Sequence, residues 1–257
     1  MLRHMSSRHS LSTSRVQVGC AGWSIPGRYR DAFGAGESAL QRYATRFTVT
    51  EINSSFYRPH QPATYARWAD AVPAHFRFSV KMPRQISHES RLQGVGPALD
   101  RFLGDAGHLG ERLGGLLLQL PPSLAFDARS ASTFFAMLRR RTQTPVACEA
   151  RHASWFTAPA QAVLVRHGIS GVATDPPRAG VDAVPSGTPA WPYWRWHGSP
   201  RIYYSEYPDE ALQELARAVA AHGPPTGRTW VIFDNTAHGF AVNDALRLQA
   251  LLEKNHA

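Results

Sequence analysis

Eight short apolar runs, all but one followed by a segment of helical period, set the limits on what this 257-residue chain can become. The runs cover residues 16–19, 49–53, 76–81, 116–120, 146–149, 171–174, 191–196 and 230–233. Each is strand-sized and bounded by turn-forming residues, too short for a buried helix. Between them, apolar residues recur at helical spacing, as in Leu40, Tyr43, Ala44 and Phe47, or Tyr65, Trp68, Ala69 and Val72. Strands alternating with helices imply a parallel sheet covered by helices. Eight such units are what a closed barrel requires.

An open doubly wound sheet is the competing architecture, and it announces itself by a glycine-rich first turn. Here that turn reads Gly19-Cys20-Ala21-Gly22-Trp23. It lacks the dinucleotide-binding spacing, and no acidic residue follows at the ribose position. The expected fold is therefore α/β, a (β/α)8 TIM-barrel-like domain. One slot departs from the repeat: residues 175–189 are rich in proline and have no helical period. The barrel is expected to be irregular around its sixth helix, where a long loop takes the helix's place.

Residues 16–257 read as this single domain. Residues 1–15 carry Arg3, Arg8 and Arg15 with no acidic residue, and read as a disordered basic tail. They have no apolar stretch of the kind a secretory signal needs. With 43% hydrophobic residues the chain can build a sizeable core. No run of some 18 apolar residues is present, so no membrane-crossing helix is expected. The two cysteines, Cys20 and Cys148, are far apart and form no paired-thiol motif. This usage suits a reduced, cytoplasmic protein. Cys148 reads as a small buried apolar residue, while Cys20 ends a strand and could face a pocket, although no neighbouring base marks it as a nucleophile. The formal charge of +9 favours an anionic partner, but the basic residues are scattered rather than clustered.

Barrel enzymes carry their working groups at the C-terminal ends of strands. Applied to the eight runs, this gives Trp23 after the first, then Glu51, Asn53 and Tyr57, Lys81, Gln119, and Glu149, Arg151 and His152. It continues with Asp175, Arg195 and His197, and Asn235. Residues two apart in a strand share a face, which pairs Glu51 with Asn53 and Glu149 with Arg151. Glu51 or Glu149 can act as general base or acid with His197 as partner, and Lys81 can hold a phosphate or carboxylate; these four are the candidate catalytic set. Trp23, Asn53, Tyr57, Gln119, Arg151, His152, Asp175, Arg195 and Asn235 are the candidate ligand-binding set. The competing reading is structural: buried charges need partners, and these cations and carboxylates would then simply pair and close the barrel top. For Trp23 and Trp155 that reading is barrel-cap packing. Glu149, Asp175, His152 and His197 are metal-ligand types, but neighbouring Lys and Arg oppose a cation and no compact ligand motif is present. No metal and no cofactor are expected.

Several of these strand-end segments are similar to a known family. They are Gly19-Cys20-Ala21-Gly22-Trp23-Ser24, Thr50-Glu51-Ile52-Asn53-Ser54-Ser55-Phe56-Tyr57, the segment from Phe76 to Pro83, and Leu117-Leu118-Gln119-Leu120-Pro121-Pro122-Ser123. Further along are Glu149-Ala150-Arg151-His152-Ala153-Ser154-Trp155-Phe156, Arg195-Trp196-His197-Gly198 and Phe233-Asp234-Asn235-Thr236. Taken in order over almost the whole chain, they resemble the YecE-like family of TIM barrels, a domain of unknown function. The resemblance implies the barrel and carries no assigned activity, cofactor or catalytic residue. The chain departs from the family pattern in two places. Asp234 stands where Asn is usual, which adds a negative charge near the pocket. Trp194-Arg195-Trp196 replaces an aliphatic-Arg-Leu pattern.

The expected function is recognition of a polar or anionic, phosphate-bearing small molecule at the strand ends, with hydrolase or lyase chemistry as the enzymatic form. The alternatives are a small-molecule-binding scaffold and a nucleic-acid-binding barrel. The last rests on the net charge and on Trp191, Tyr193, Tyr203, Tyr204 and Tyr207, which are expected to be exposed for base stacking.

Overall fold

The computed structural model describes residues 16–177, 180–224 and 227–254. The expected tail over residues 1–15 lies outside them. Ten strands form among the described residues: β1 (Val16–Cys20), β2 (Val49–Ile52), β3 (Arg77–Lys81), β4 (Leu113–Gln119), β5 (Val146–Glu149), β6 (Ile169–Gly171), β7 (Ala173–Asp175), β8 (Ser186–Gly187), β9 (Tyr193–Trp196) and β10 (Thr229–Phe233). Seven α-helices lie among the described residues: α1 (Ala39–Tyr43), α2 (Pro62–Asp70), α3 (Gly96–Ala106), α4 (Ala128–Arg139), α5 (Ala158–Arg166), α6 (Asp209–Ala221) and α7 (Phe240–Lys254).

Ladder hydrogen bonds divide the strands into two sheets, β1-β10-β9-β7 and β2-β3-β4-β5-β6-β8. Every pairing is parallel except that of β8 with β6. The sheets meet at two seams. At one, Ala21 bridges Glu51 in parallel and the Gly22 amide donates to the Glu51 carbonyl at 2.8 Å. At the other, β6 and β7 are one strand interrupted at Val172. The result is a TIM-barrel-like ring of eight parallel positions. Gly19 makes the first seam possible, because a Cβ there would run into the Val49 carbonyl of the neighbouring strand.

Helices fill every crossover but the sixth. There the described residues of the proline-rich segment supply only β8, whose Ser186 and Gly187 add antiparallel to Gly171 and Ser170. Helix starts follow local chemistry. Ser38 and Gln41 form a reciprocal capping box at α1, and Asp127 accepts from the Ser130 amide at α4. Proline opens α2, α3 and α5, where its missing N–H costs nothing.

Two apolar layers result. One lies between strands and helices, centred on residues such as Phe47, Phe76, Leu99, Phe135 and Leu248. The other fills the lower barrel with Val49, Leu117, Ala147, Trp191, Tyr193, Trp230 and Ile232. Trp191 packs edge-on against Tyr193 and Trp230, with centroids 4.9 and 5.3 Å apart. The space for its ring comes from Gly115, where a Cβ would strike the indole. These aromatics correct one sequence expectation. Trp191, Tyr193 and Tyr207 are buried, while Tyr203 and Tyr204 are exposed. The first two sit in the barrel interior because the strand's alternation turns them inward with Arg195.

Candidate active site

The inward faces of the strands carry an ionic layer above the aromatic floor. Arg195 of β9 is at its centre and is wholly buried. Its Nε and Nη2 grip the two oxygens of Glu51 from β2 at 2.7–3.2 Å. Nη1 donates to Glu149 Oε2 of β5 at 2.9 Å, and Nη2 also lies 2.9 Å from Asp234 Oδ2, just after β10. The Tyr193 hydroxyl donates to Glu51 Oε2 from below at 3.0 Å. A planar fork of donors is what allows one cation to collect carboxylates from three strands. All three guanidinium nitrogens are thereby engaged with protein carboxylates.

His197 bridges two of those carboxylates. Its Nδ1 is 3.1 Å from Asp234 Oδ2, within hydrogen-bonding reach. Its Nε2 is 3.4 Å from Glu149 Oε1, close enough for charge attraction but without hydrogen-bond alignment, so this buried nitrogen has no hydrogen-bond partner. Burial alone would discourage a charge on the imidazole. The charge of Glu149 and the hydrogen bond to Asp234 outweigh it and raise the pKa above the ordinary histidine value. Glu149 responds in kind. Burial would raise its pKa, but His197, Arg195 and Arg151 hold it well below the usual carboxylate range. Asp234 is likewise lowered, against burial, by Arg195, His197 and Lys81.

Two further cations stand at the rim. Arg151 places Nε and Nη2 at 2.9 Å from Glu149 Oε1, with a quarter of its side chain exposed. Lys81 ends β3 and is 4% exposed. Among the described residues its ammonium has no hydrogen bond and no ion pair. It lies over the Phe56 ring, 4.3 Å from the centroid. Burial, then the Arg195 charge, lowers its pKa to about 8, with Glu51, Glu149 and Asp234 opposing. His88 stacks edge-on against the same Phe56 ring at 4.9 Å and is lowered by burial and by Lys81. With His197 protonated, Arg151, Lys81, Arg195 and His197 face three carboxylates, leaving one positive charge in excess.

Of the residues singled out in the sequence, Glu51, Lys81, Glu149, Arg151, Arg195 and His197 come together here. Gln119 joins them by donating to Glu149 Oε1 at 2.8 Å, and Asn53 reaches Asp234 Oδ1 at 3.5 Å. The others point elsewhere. Trp23 meets Trp68 edge-on at 5.0 Å and lines a cleft of about 310 Å³ beside α1 and α2. Tyr57 is 71% exposed and His152 caps Ser154. Asp175 accepts from the Tyr207 hydroxyl at 2.7 Å, and Asn235 donates to Asp244 and the Ser205 carbonyl. Cys20 is packed under Tyr43, and burial pushes its thiol to about 12, which leaves it inert. Asp234 and Tyr193 are the participants absent from the sequence-derived set. Their signals were available: Asp234 is the charged departure from the family pattern, and Tyr193 has the same strand parity as Arg195.

Among the described residues no three of His, Cys, Asp or Glu are grouped to hold a metal. The cation inside the Glu51–Glu149–Asp234 cluster is the Arg195 guanidinium. No helix of the described residues is long and apolar enough to cross a membrane.

Comparison with known proteins places the chain among relatives that share this architecture. The profile of the family described as Protein of unknown function DUF72 matches residues 17–257. The UPF0759 protein YecE of Escherichia coli (strain K12) is 32% identical over 106 residues, 41% of this chain and 38% of that protein's length. The UPF0759 protein YunF of Bacillus subtilis (strain 168) is 20% identical over 93% of this chain and 95% of its own. A crystal structure of a DUF72 family protein from Thermotoga maritima MSB8 superposes with a TM-score of 0.76. It is 25% identical and covers 93% of this chain and 99% of that one.

Proposed function

The chain belongs to the DUF72 family, and from that premise we propose that its strand-end cluster is a binding site for a small anionic molecule bearing a carboxylate or phosphate. The observation that carries this reading is Lys81, a buried ammonium with no carboxylate at ion-pair distance among the described residues. Leaving a charge without a partner in a low-dielectric site is costly, and an anionic ligand would remove that cost. Arg151, partly exposed and fixed by Glu149, offers the second cation, and His197, whose Nε2 faces Glu149 Oε1 at 3.4 Å without a hydrogen bond, the third donor. In the enzymatic form of the reading, His197 is the proton donor and Glu149, with Asp234, holds the imidazole charged and oriented. Glu51 and Arg195 build the floor on which these groups are aligned rather than contacting ligand.

The reading also places the protein in a reduced, cytoplasmic setting, supported by two free, buried cysteines. A nucleic-acid partner has narrower support: Tyr203, Tyr204 and Arg201, which stacks on Tyr204 at 4.2 Å, form one small exposed group. The test is a thermal-shift series at low ionic strength with inorganic phosphate, sulfate, pyruvate and single-stranded oligonucleotides. Stabilisation by the small anions, lost in Arg151→Ala, is the expected result. Stabilisation by oligonucleotides alone would overturn the small-anion reading.

A further inference from the structure

The site keeps a lysine where the chain otherwise uses arginine. Of the 28 lysines and arginines, two are lysines, Lys81 and Lys254. Lys254 is exposed near the chain's end, so Lys81 is the one lysine placed inside the fold among the described residues. For holding an anion, arginine is the better residue: it stays charged and binds in two-pronged fashion. Lysine offers what a guanidinium cannot, an amine that loses its proton and attacks carbon.

The surroundings of Lys81 suit that second use. Among the described residues no carboxylate lies within ion-pair distance to fix its proton, and the Phe56 ring covers one side. The charged groups that act on it are Arg195, which discourages the ammonium, and Glu51, Glu149 and Asp234, which favour it. The balance with burial puts its pKa at about 8, so roughly one amine in ten is free at pH 7. His197, whose pKa Glu149 and Asp234 raise, has its Nε2 3.4 Å from Glu149 Oε1 without hydrogen-bond alignment, so this N–H can swing to a bound carbonyl oxygen.

We propose that Lys81 forms a reversible imine with an aldehyde or ketone that carries an anionic group, Arg151 holding the anion and His197 serving the carbonyl oxygen. This rests on the anion-site reading and adds the reactive half of the ligand. The Lys81 Nζ lone pair attacks the carbonyl carbon, and the C=O π bond opens onto oxygen. That oxygen takes the His197 Nε2 proton to give a carbinolamine, and the proton shed by Nζ returns to the imidazole. The imidazolium protonates that hydroxyl oxygen, water leaves as the C=N bond forms, and the neutral imidazole regains its proton from solvent, which had taken the one lost by the Lys81 ammonium. Overall, ammonium plus carbonyl compound gives a protonated imine plus water, with no redox change, and water reverses the step.

The test is borohydride trapping. The protein is incubated with pyruvate, or with the neutral ketone hydroxyacetone, at pH 7.5, reduced, digested and mapped by mass spectrometry. The expected result is a secondary-amine adduct on the Lys81 peptide, formed at least tenfold faster than on Lys254 and at least tenfold faster with pyruvate than with hydroxyacetone. Lys81→Arg should abolish the adduct, Lys254→Arg should leave it unchanged, and circular dichroism should confirm that both variants are folded. Equal labelling of the two lysines, or none at Lys81, would overturn the imine. Phosphate stabilisation measured in parallel separates the two ideas. Anion binding without an adduct refutes only the imine, and a Lys81 adduct equally fast with the neutral ketone refutes the anion requirement.

Discussion

Arg195 and Glu51 face each other across the barrel interior in a bidentate pair, with Nη2–Oε1 at 2.7 Å and both side chains wholly buried. The pair joins β9 of one sheet to β2 of the other, and Arg195 adds Glu149 and Asp234. It therefore ties the two sheets together at the level of the proposed ligand site. Removing one side of a buried pair leaves an uncompensated charge, at a cost of about 3–5 kcal/mol. Arg195→Met should lower stability by at least that much, because Glu51, Glu149 and Asp234 all lose the guanidinium that joins them. Chemical unfolding of Arg195→Met, Glu51→Gln and the double variant should show a double-variant loss well below the sum of the singles.

His197 gives a pH dependence of defined sign. Its folded pKa is raised above the ordinary value, so the stabilisation it brings is fully present below about pH 6.5 and disappears as pH rises through the folded pKa. Glu149 and Asp234 act at the other end. Their lowered values mean that their contribution is present above the usual carboxylate range and is lost as acid protonates them. Urea midpoints of the native protein minus those of His197→Gln should be largest near pH 6 and shrink toward alkaline pH.

Lys81 has the opposite sign for a cation. Its pKa is lowered to about 8, so the folded state resists protonation and gains stability as pH rises from about 8 toward the ordinary lysine value. Lys81→Met should be more stable than the native protein at pH 7, by roughly 2–4 kcal/mol if the packing is kept. The gain should vanish above about pH 10. Thermal melts of both proteins across this range would check it. A variant that gains stability while losing ligand binding is what a functional site under strain produces.

The floor beneath the site is tested separately. Gly115→Ala would drive a methyl group into Trp191, and overpacking of this kind typically costs about 1–3 kcal/mol. Trp191→Ala would open a cavity under Tyr193 and Glu51 at a cost of about 3–5 kcal/mol. Combining the two should cost less than their sum, because the added methyl no longer meets a ring. Calorimetric unfolding of the three variants gives the comparison.

Much of this arrangement is legible in the sequence. Eight strand positions, their order and the missing sixth helix followed from apolar runs and from the prolines of residues 175–189. Strand ends then named Glu51, Lys81, Glu149, Arg151, Arg195 and His197 as neighbours, although they are separated by up to 146 positions. What the sequence hid depends on direction. Tyr193 and Trp191 looked like exposed stacking residues because aromatic composition alone does not say which strand face points inward. Asn235 follows Asp234, and consecutive residues face opposite ways, so Asn235 turns to Asp244 of α7 while Asp234 joins the site. Trp23, Tyr57 and His152 lie in loops, where strand parity gives no guide.

Calorimetric titration with inorganic phosphate at low ionic strength, on the native protein, Lys81→Ala and Arg151→Ala, tests the central claim most directly. The account predicts one site per chain in the native protein and at least tenfold weaker binding in each variant. Binding of equal strength in all three proteins, or none in the native one, would contradict it.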